Sequence, residues 1–219
     1  MLSIPRISMV LLAAALTAAA APAFPEPPKT RDAALAALRS PDAATRAEAV
    51  TWIANRGAMA DAPLLHERLR DESPFVRSFA EQGLWLLWSR SGDVETDRLM
   101  ASGTGEMQAG RLSEAIAVFT IVIQKNPKFA EGWNRRATVL YLAGEFKRSI
   151  ADCDEVLKRN QAHFGALAGL GQIYLALDEP EQALAWFRRA LEANPNLLGV
   201  EFSIKRLEEV LKDKSRRST

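Results

Sequence analysis

An all-α fold, a right-handed α-solenoid of stacked helical hairpins, is predicted by three features of this 219-residue chain. Residues 110–127 (GRLSEAIAVFTIVIQKNP) return in altered form at 144–161 and again at 178–195, an interval of 34 residues. Residues 38–50 (LRSPDAATRAEAV) return at 69–81 (LRDESPFVRSFAE), an interval of 31. Between the two periodic regions no run of Pro, Gly and Ser is present to act as a tether. Periods of this size mark repeated hairpins, each too small to bury its apolar face alone, so neighbours must stack. With 48% hydrophobic and 25% charged residues the chain has a globular composition. Its net charge of +1 lacks the basic excess of a nucleic-acid binder, and no nucleic-acid partner is expected.

Taken in chain order, residues 1–23 place Arg6 before an apolar run from Ile7 to Leu16. Small residues follow, and both Ala19-Ala20-Ala21 and Ala21-Pro22-Ala23 fit a signal-peptidase site. This is the layout of a secretory signal peptide ending at about 21–23, so the expected location is secreted or periplasmic. The apolar run is shorter than the ~20 residues a membrane span needs, and no stable span is expected after processing. Cleavage would remove only Arg6 among the charges, leaving 27 basic against 27 acidic residues. Residues 24–30 (FPEPPKT) form a Pro-rich linker with little helix potential.

Residues 31–92 hold the shorter repeat. Leu38 matches Leu69, Arg39 matches Arg70, Arg46 matches Arg77 and Ala49 matches Ala80. Asp61 is placed to cap the helix between them, with Pro63 in its first turn. Arg46 and Arg77 fall near helix starts, where each is expected to bind an acidic residue or a carbonyl of an adjacent unit. Trp85 and Trp88 share one helix face and are expected to bury against the following helix, or else to form an exposed patch for a homo-oligomer. The leucine-ended helix, the acidic or proline turn and the "xVRxxA" start resemble short HEAT-like repeats, a kind also seen in phycobilin-lyase proteins. That resemblance implies a lyase or lyase accessory as the alternative function.

Residues 93–197 carry three units of the longer repeat. Gly92-Asp93 ends the preceding unit, and Asp93 can cap a helix near 94–109 that would join the two arrays directly. Gly110, Gly144 and Asp178 share the inter-helix turn; Ala115, Ser149 and Ala183 share a small position. Phe119, Cys153 and Phe187 share an apolar position, and Gly103, Ala137 and Gly171 supply the small residues that let two helices cross closely. The pattern resembles the tetratricopeptide repeat, with the third unit (Leu170-Gly171, Tyr174, Ala183, Phe187, Ala190, Pro195) matching best and the first departing at Ser102 and Glu106. Within this frame Cys153, the one cysteine, reads as a small buried hydrophobe, and no disulfide is possible. Trp133 and Trp186 read as packing residues. Residues 198–219 add an amphipathic helix through Leu198, Phe202, Leu207 and Leu211, a polar-faced cap with a basic tail.

No catalytic set emerges. His66 and His163 lie in different arrays; His66-Glu67 lacks the second histidine of HExxH. No phosphate loop or nucleophile turn occurs, and neither metal nor cofactor is expected. The resemblance implies instead a concave surface lined by the first helix of each unit. Its groove positions fall on Met100, Thr104 and Met107, then Asn134, Thr138 and Tyr141, then Ala168, Gln172 and Leu175. The family's clamp for chaperone C-termini would need Lys, Asn and Arg donors where this chain has Met100, Thr104, Arg135, Gly165 and Gly169. The expected function is therefore a non-enzymatic scaffold or assembly factor of a bacterial-type cell envelope, binding a protein or peptide through that face.

Overall fold

The computed structural model describes residues 26–217, so the expected signal peptide lies outside the described residues. Within them the chain forms eleven α-helices and no strand. The all-α solenoid fold class is thus the one observed.

The first two hairpins are α1 (Arg31–Ala37) with α2 (Ala43–Arg56), and α3 (Ala62–Arg68) with α4 (Pro74–Ser89). Their starts follow from capping chemistry: Thr30 accepts from the Ala33 amide at 3.2 Å and Asp42 from the Thr45 amide at 2.8 Å, while Pro74 opens α4. Asp61 stands at the N-cap of α3 but makes no capping bond there; its carboxylate takes Arg31 at 2.6 Å and the Ala58 amide at 2.9 Å. Arg46 does what the repeat implied, whereas Arg77 takes carbonyls of its own hairpin and the amide oxygen of Asn196. Arg46 is 5% exposed and donates twice to Asp71, at 2.9 and 2.7 Å. It also donates to the carbonyls of Ser40 and Pro41. One repeat later Arg77 donates to the carbonyls of Asp71 and Glu72. Burial pushes the Asp71 carboxyl up, but the bonds from Arg46 and the Ser73 amide outweigh it and hold the group below its ordinary value.

Three longer hairpins follow: α5 (Val94–Gln108) with α6 (Leu112–Lys125), α7 (Ala130–Leu142) with α8 (Phe146–Arg159), and α9 (Phe164–Ala176) with α10 (Pro180–Ala193); α11 (Leu198–Arg217) closes the series. Asp93 caps α5 through the Thr96 amide at 2.8 Å. Each helix packs on the next, and α5, α7 and α9 lie side by side as an inner layer. The hairpin turns need a left-handed residue: Gly110, Gly144 and Asp178 have φ of 74°, 75° and 59°.

Helix crossings inside the hairpins are matched in size. A Cβ on Gly103 would sit 2.7 Å from the Phe119 ring, and one on Gly171 closer still to Phe187. The middle unit instead pairs Ala137 with the smaller Cys153, both buried in one cluster.

The join between the two arrays differs from the expected end-to-end stacking. After α4 the chain turns at Gly92 (φ 78°), with Arg90 held on the carbonyls of Ala54, Asn55 and Gly57. α4 then packs on α7 and on the start of α9 rather than along α5. Trp85 and Trp88 therefore bury against the third long unit, not the following helix. Trp88 stacks on His163 at 4.3 Å, and both indoles contact Phe164. Trp88 is 3% exposed, so it offers no homo-oligomer patch. Phe164, 1% exposed, belongs to the core of the first two hairpins, with Ala193 and Leu197 packed beside it. Burial of such a ring contributes about 1.5–3 kcal/mol.

Asn196 completes this join by standing in for a missing third short unit. Its Oδ1 accepts from Arg77 Nε at 2.9 Å, the role Asp71 plays for Arg46. Its Nδ2 donates to the Leu69 carbonyl at 2.8 Å, as Arg68 does to the Leu38 carbonyl one repeat earlier. Asn194 donates to Glu81 at 3.1 Å, and Arg70 to the Glu192 carbonyl.

Candidate peptide-binding groove

The inner layer of α5, α7 and α9 presents one cavity of about 120 Å³ between α7, α8 and α9. Asn134, Ala137, Thr138 and Tyr141 line it from α7, Ser149 and Cys153 from α8, and Gly165, Ala166, Gly169, Gln172 and Ile173 from α9. Four groove positions named from the sequence, Asn134, Thr138, Tyr141 and Gln172, are thus brought together. The other seven lining residues, Ala137, Ser149, Cys153, Gly165, Ala166, Gly169 and Ile173, were not among the groove positions named.

The cavity has a local cause. Units one and three fill the matching place with Phe119 and Phe187, each fully buried. A thiol replaces the ring at Cys153, and Gly165 and Gly169 thin the opposing helix. Only the Cys153 sulfur comes within 4.0 Å of a Cβ built on Gly169. The departure from Phe at position 153 is the sequence signal that could have located this site.

The groove positions of unit one go elsewhere. Met100, 8% exposed, is absorbed into the core with Phe119 and Val122, and Met107 packs on the same cluster. Thr104 returns its hydroxyl to the Met100 carbonyl at 2.8 Å. Leu175 is exposed but stands outside the cavity, and Ala168 packs on the unit-three core.

Polar groups at the cavity differ in what they have left to offer. Asn134 is buried and its amide donates to Glu131 at 3.0 Å; Thr138 donates to the Asn134 carbonyl at 3.0 Å and Ser149 to the Ala137 carbonyl at 2.7 Å. Gln172 is exposed, and its side chain makes no hydrogen bond to the described residues. Glu131, 1% exposed, also takes Arg135 at 2.7 Å and faces His163 at 3.2 Å. Burial raises its carboxyl, but His163, Arg135 and Asn134 together hold it below the ordinary value. Burial, with Asp152 and Asp154 nearby, pushes the Cys153 thiol up to about 12, which leaves it protonated and unreactive near neutrality. With hydroxyls, amides and apolar walls, the site can hold an uncharged group and hydrogen-bond to an amide. Among the described residues no cluster of three or more metal-ligating side chains occurs. No described helix is long and apolar enough to cross a membrane.

The tetratricopeptide repeat profile matches residues 100–162, and a second profile of the same description matches 165–197. The chain carries tetratricopeptide repeats. A TPR repeat-containing protein of Rhizobium etli is 29% identical over 161 residues, covering 71% of this chain and 79% of its own length. Among solved structures, the Sgt2 TPR domain from Aspergillus fumigatus superposes with a TM-score of 0.54 at 17% identity, covering 57% of this chain and 83% of that one. The first TPR of Spaghetti (RPAP3), bound to an HSP90 peptide, gives 0.51 at 22% identity, covering 53% of this chain and 93% of that one. These likenesses establish the tetratricopeptide fold of hairpins α5–α10.

Proposed function

We propose that this protein is a non-enzymatic scaffold or assembly factor of a bacterial-type cell envelope that binds a partner protein or peptide in the groove of its second and third tetratricopeptide units. The observation that carries the reading is the cavity itself. It is walled by Asn134, Thr138, Tyr141 and Gln172, and Gln172 is free to bond a passing backbone. The signal-peptide layout of residues 1–23 supports an exported location, and the arginine ladder supports a HEAT-like reading of the first two hairpins.

Chaperone tails of the kind seen with RPAP3 are poor candidates for this groove. Gly165 and Gly169 offer no cationic donor for a terminal carboxylate, and Trp85 lies against Gly165. An uncharged segment with one apolar anchor side chain fits better.

A photo-crosslinking residue at position 172, compared with one at Lys147 on the exposed face of α8, tests the assignment. Capture from envelope extract is expected at 172, to be lost in Thr138→Arg, which sets a long cation across the cavity mouth. Equal capture from both positions, or capture indifferent to Thr138→Arg, refutes it.

A further inference from the structure

The chain contains two histidines, and the fold brings both onto one indole at the join between its arrays. His66, on α3, lies 5.7 Å from the Trp88 ring; His163, in the turn before α9, stacks on it at 4.3 Å with planes 22° apart. His163 is wholly buried, and its two nitrogens have opposite duties. Nδ1 accepts from the Ala166 amide at 3.1 Å, capping α9, while Nε2 faces the Glu131 carboxylate at 3.2 Å. The neutral ring with its proton on Nε2 satisfies both. A second proton would go to Nδ1, where it meets another N–H and removes the cap.

We propose that His66 and His163, packed together on Trp88, form an acid-released latch that holds the α1–α4 module against the third tetratricopeptide unit. The charges around them set the sign. Near His66 stand Arg39 and Arg46 from the first hairpin, Glu67 and Arg68 from α3, and Arg70, Asp71 and Glu72 from the next turn. Asp71 is already committed to Arg46, and Arg68 to Glu67. Burial, Arg70 and His163 all disfavour a proton on His66. Beside His163 stands the Glu131 carboxylate, which is shared with Arg135 and Asn134. A proton on His66 thus sets its charge beside Arg70 at the Trp88 ring, where Asp71 and Glu67 are already engaged by Arg46 and Arg68. Because the folded value of His66 is depressed, its stabilisation is full above the ordinary histidine value and is lost as the pH falls below it.

Opening would draw Trp85 away from Gly165, which lines the groove cavity. That consequence rests on the groove reading; the latch does not. The test therefore uses amide hydrogen exchange on the full chain and no ligand. Exchange is followed at about pH 7.5 and about pH 5.5, either side of the histidine range, and corrected for intrinsic rate. At the lower pH the amides of α4 and the first turn of α9 should exchange severalfold faster, as local opening of the join gives. Those of α6, remote from the join, should be unchanged. His66→Gln and His163→Asn, the latter keeping a capping acceptor, should each reduce the effect to about twofold or less. Acid sensitivity that persists in both variants, or none in the natural chain, overturns the latch. Equal acceleration in α6 would show global unfolding and overturn it as well.

Discussion

Exchanging the middle unit's Ala137–Cys153 pair for the Gly–Phe pair of its neighbours should close the candidate site without unfolding the protein. The cavity measures about 120 Å³; at roughly 24 cal/mol per Å³ a closed void of that size would cost about 3 kcal/mol, an upper bound for one open to solvent. Cys153→Phe alone gains this filling but drives a ring at the Ala137 methyl. The neighbours show why: a Cβ on Gly103 would stand 2.7 Å from Phe119. Overpacking of this kind costs about 1–3 kcal/mol. Ala137→Gly alone loses about 1 kcal/mol as a glycine within a helix. The double variant removes the collision, so the two changes should couple favourably by about 1–3 kcal/mol. Urea unfolding of the natural chain, both singles and the double measures this as shifts in midpoint at constant m. Additivity within about 0.5 kcal/mol would refute the size-matching argument. The double variant, folded but filled, should also lose crosslinking at position 172.

Three other outcomes follow from the fold. Asp178→Gly should stabilise the third turn by about 0.5–1 kcal/mol, and Gly144→Val should cost about 1–2 kcal/mol, because both positions hold positive φ; thermal melts check both. Asp71→Ala should cost about 3–5 kcal/mol by leaving Arg46 buried without its partner. Since the folded Asp71 value is depressed, its contribution should be complete above the ordinary 3.8 and decline as the pH falls through its lower folded value, flattening the acid-unfolding curve in that window when Asp71 is absent. Gly165→Ala should push Trp85 aside, costing about 1–3 kcal/mol and changing tryptophan near-UV dichroism, with most of the loss recovered in a Trp85→Ala background.

The period of 34 made the hairpins, their turns and the small–large crossings readable, because each position is seen three times in the same environment. The groove was only partly readable. At position 100 the long apolar side chain of Met100 sinks into the core with Phe119 and Val122, whereas its equivalent Asn134 lines the cavity. Position 138 and its equivalent 172 face outward. Cys153 was read as core, as it is, yet the empty space beside it follows only when the opposing glycines are placed. The docking of α4 on unit three was hidden for a different reason. A repeat pattern specifies contacts between neighbours, whereas Trp88 meets His163 and Arg77 meets Asn196 across 119 residues. Asn196 bears no likeness in sequence to the unit edge it replaces.

Phe164 and Leu197 complete the interior of hairpins made from residues 31–89. During synthesis those hairpins emerge before Phe164 and Leu197 and remain short of these apolar partners until the later residues have followed. A stacked array ordinarily consolidates unit by unit as it grows; here the first two hairpins must wait for the third tetratricopeptide unit. Chains stalled or truncated before residue 164 should therefore expose Trp85 and Trp88 to whatever chaperone or translocation machinery attends them.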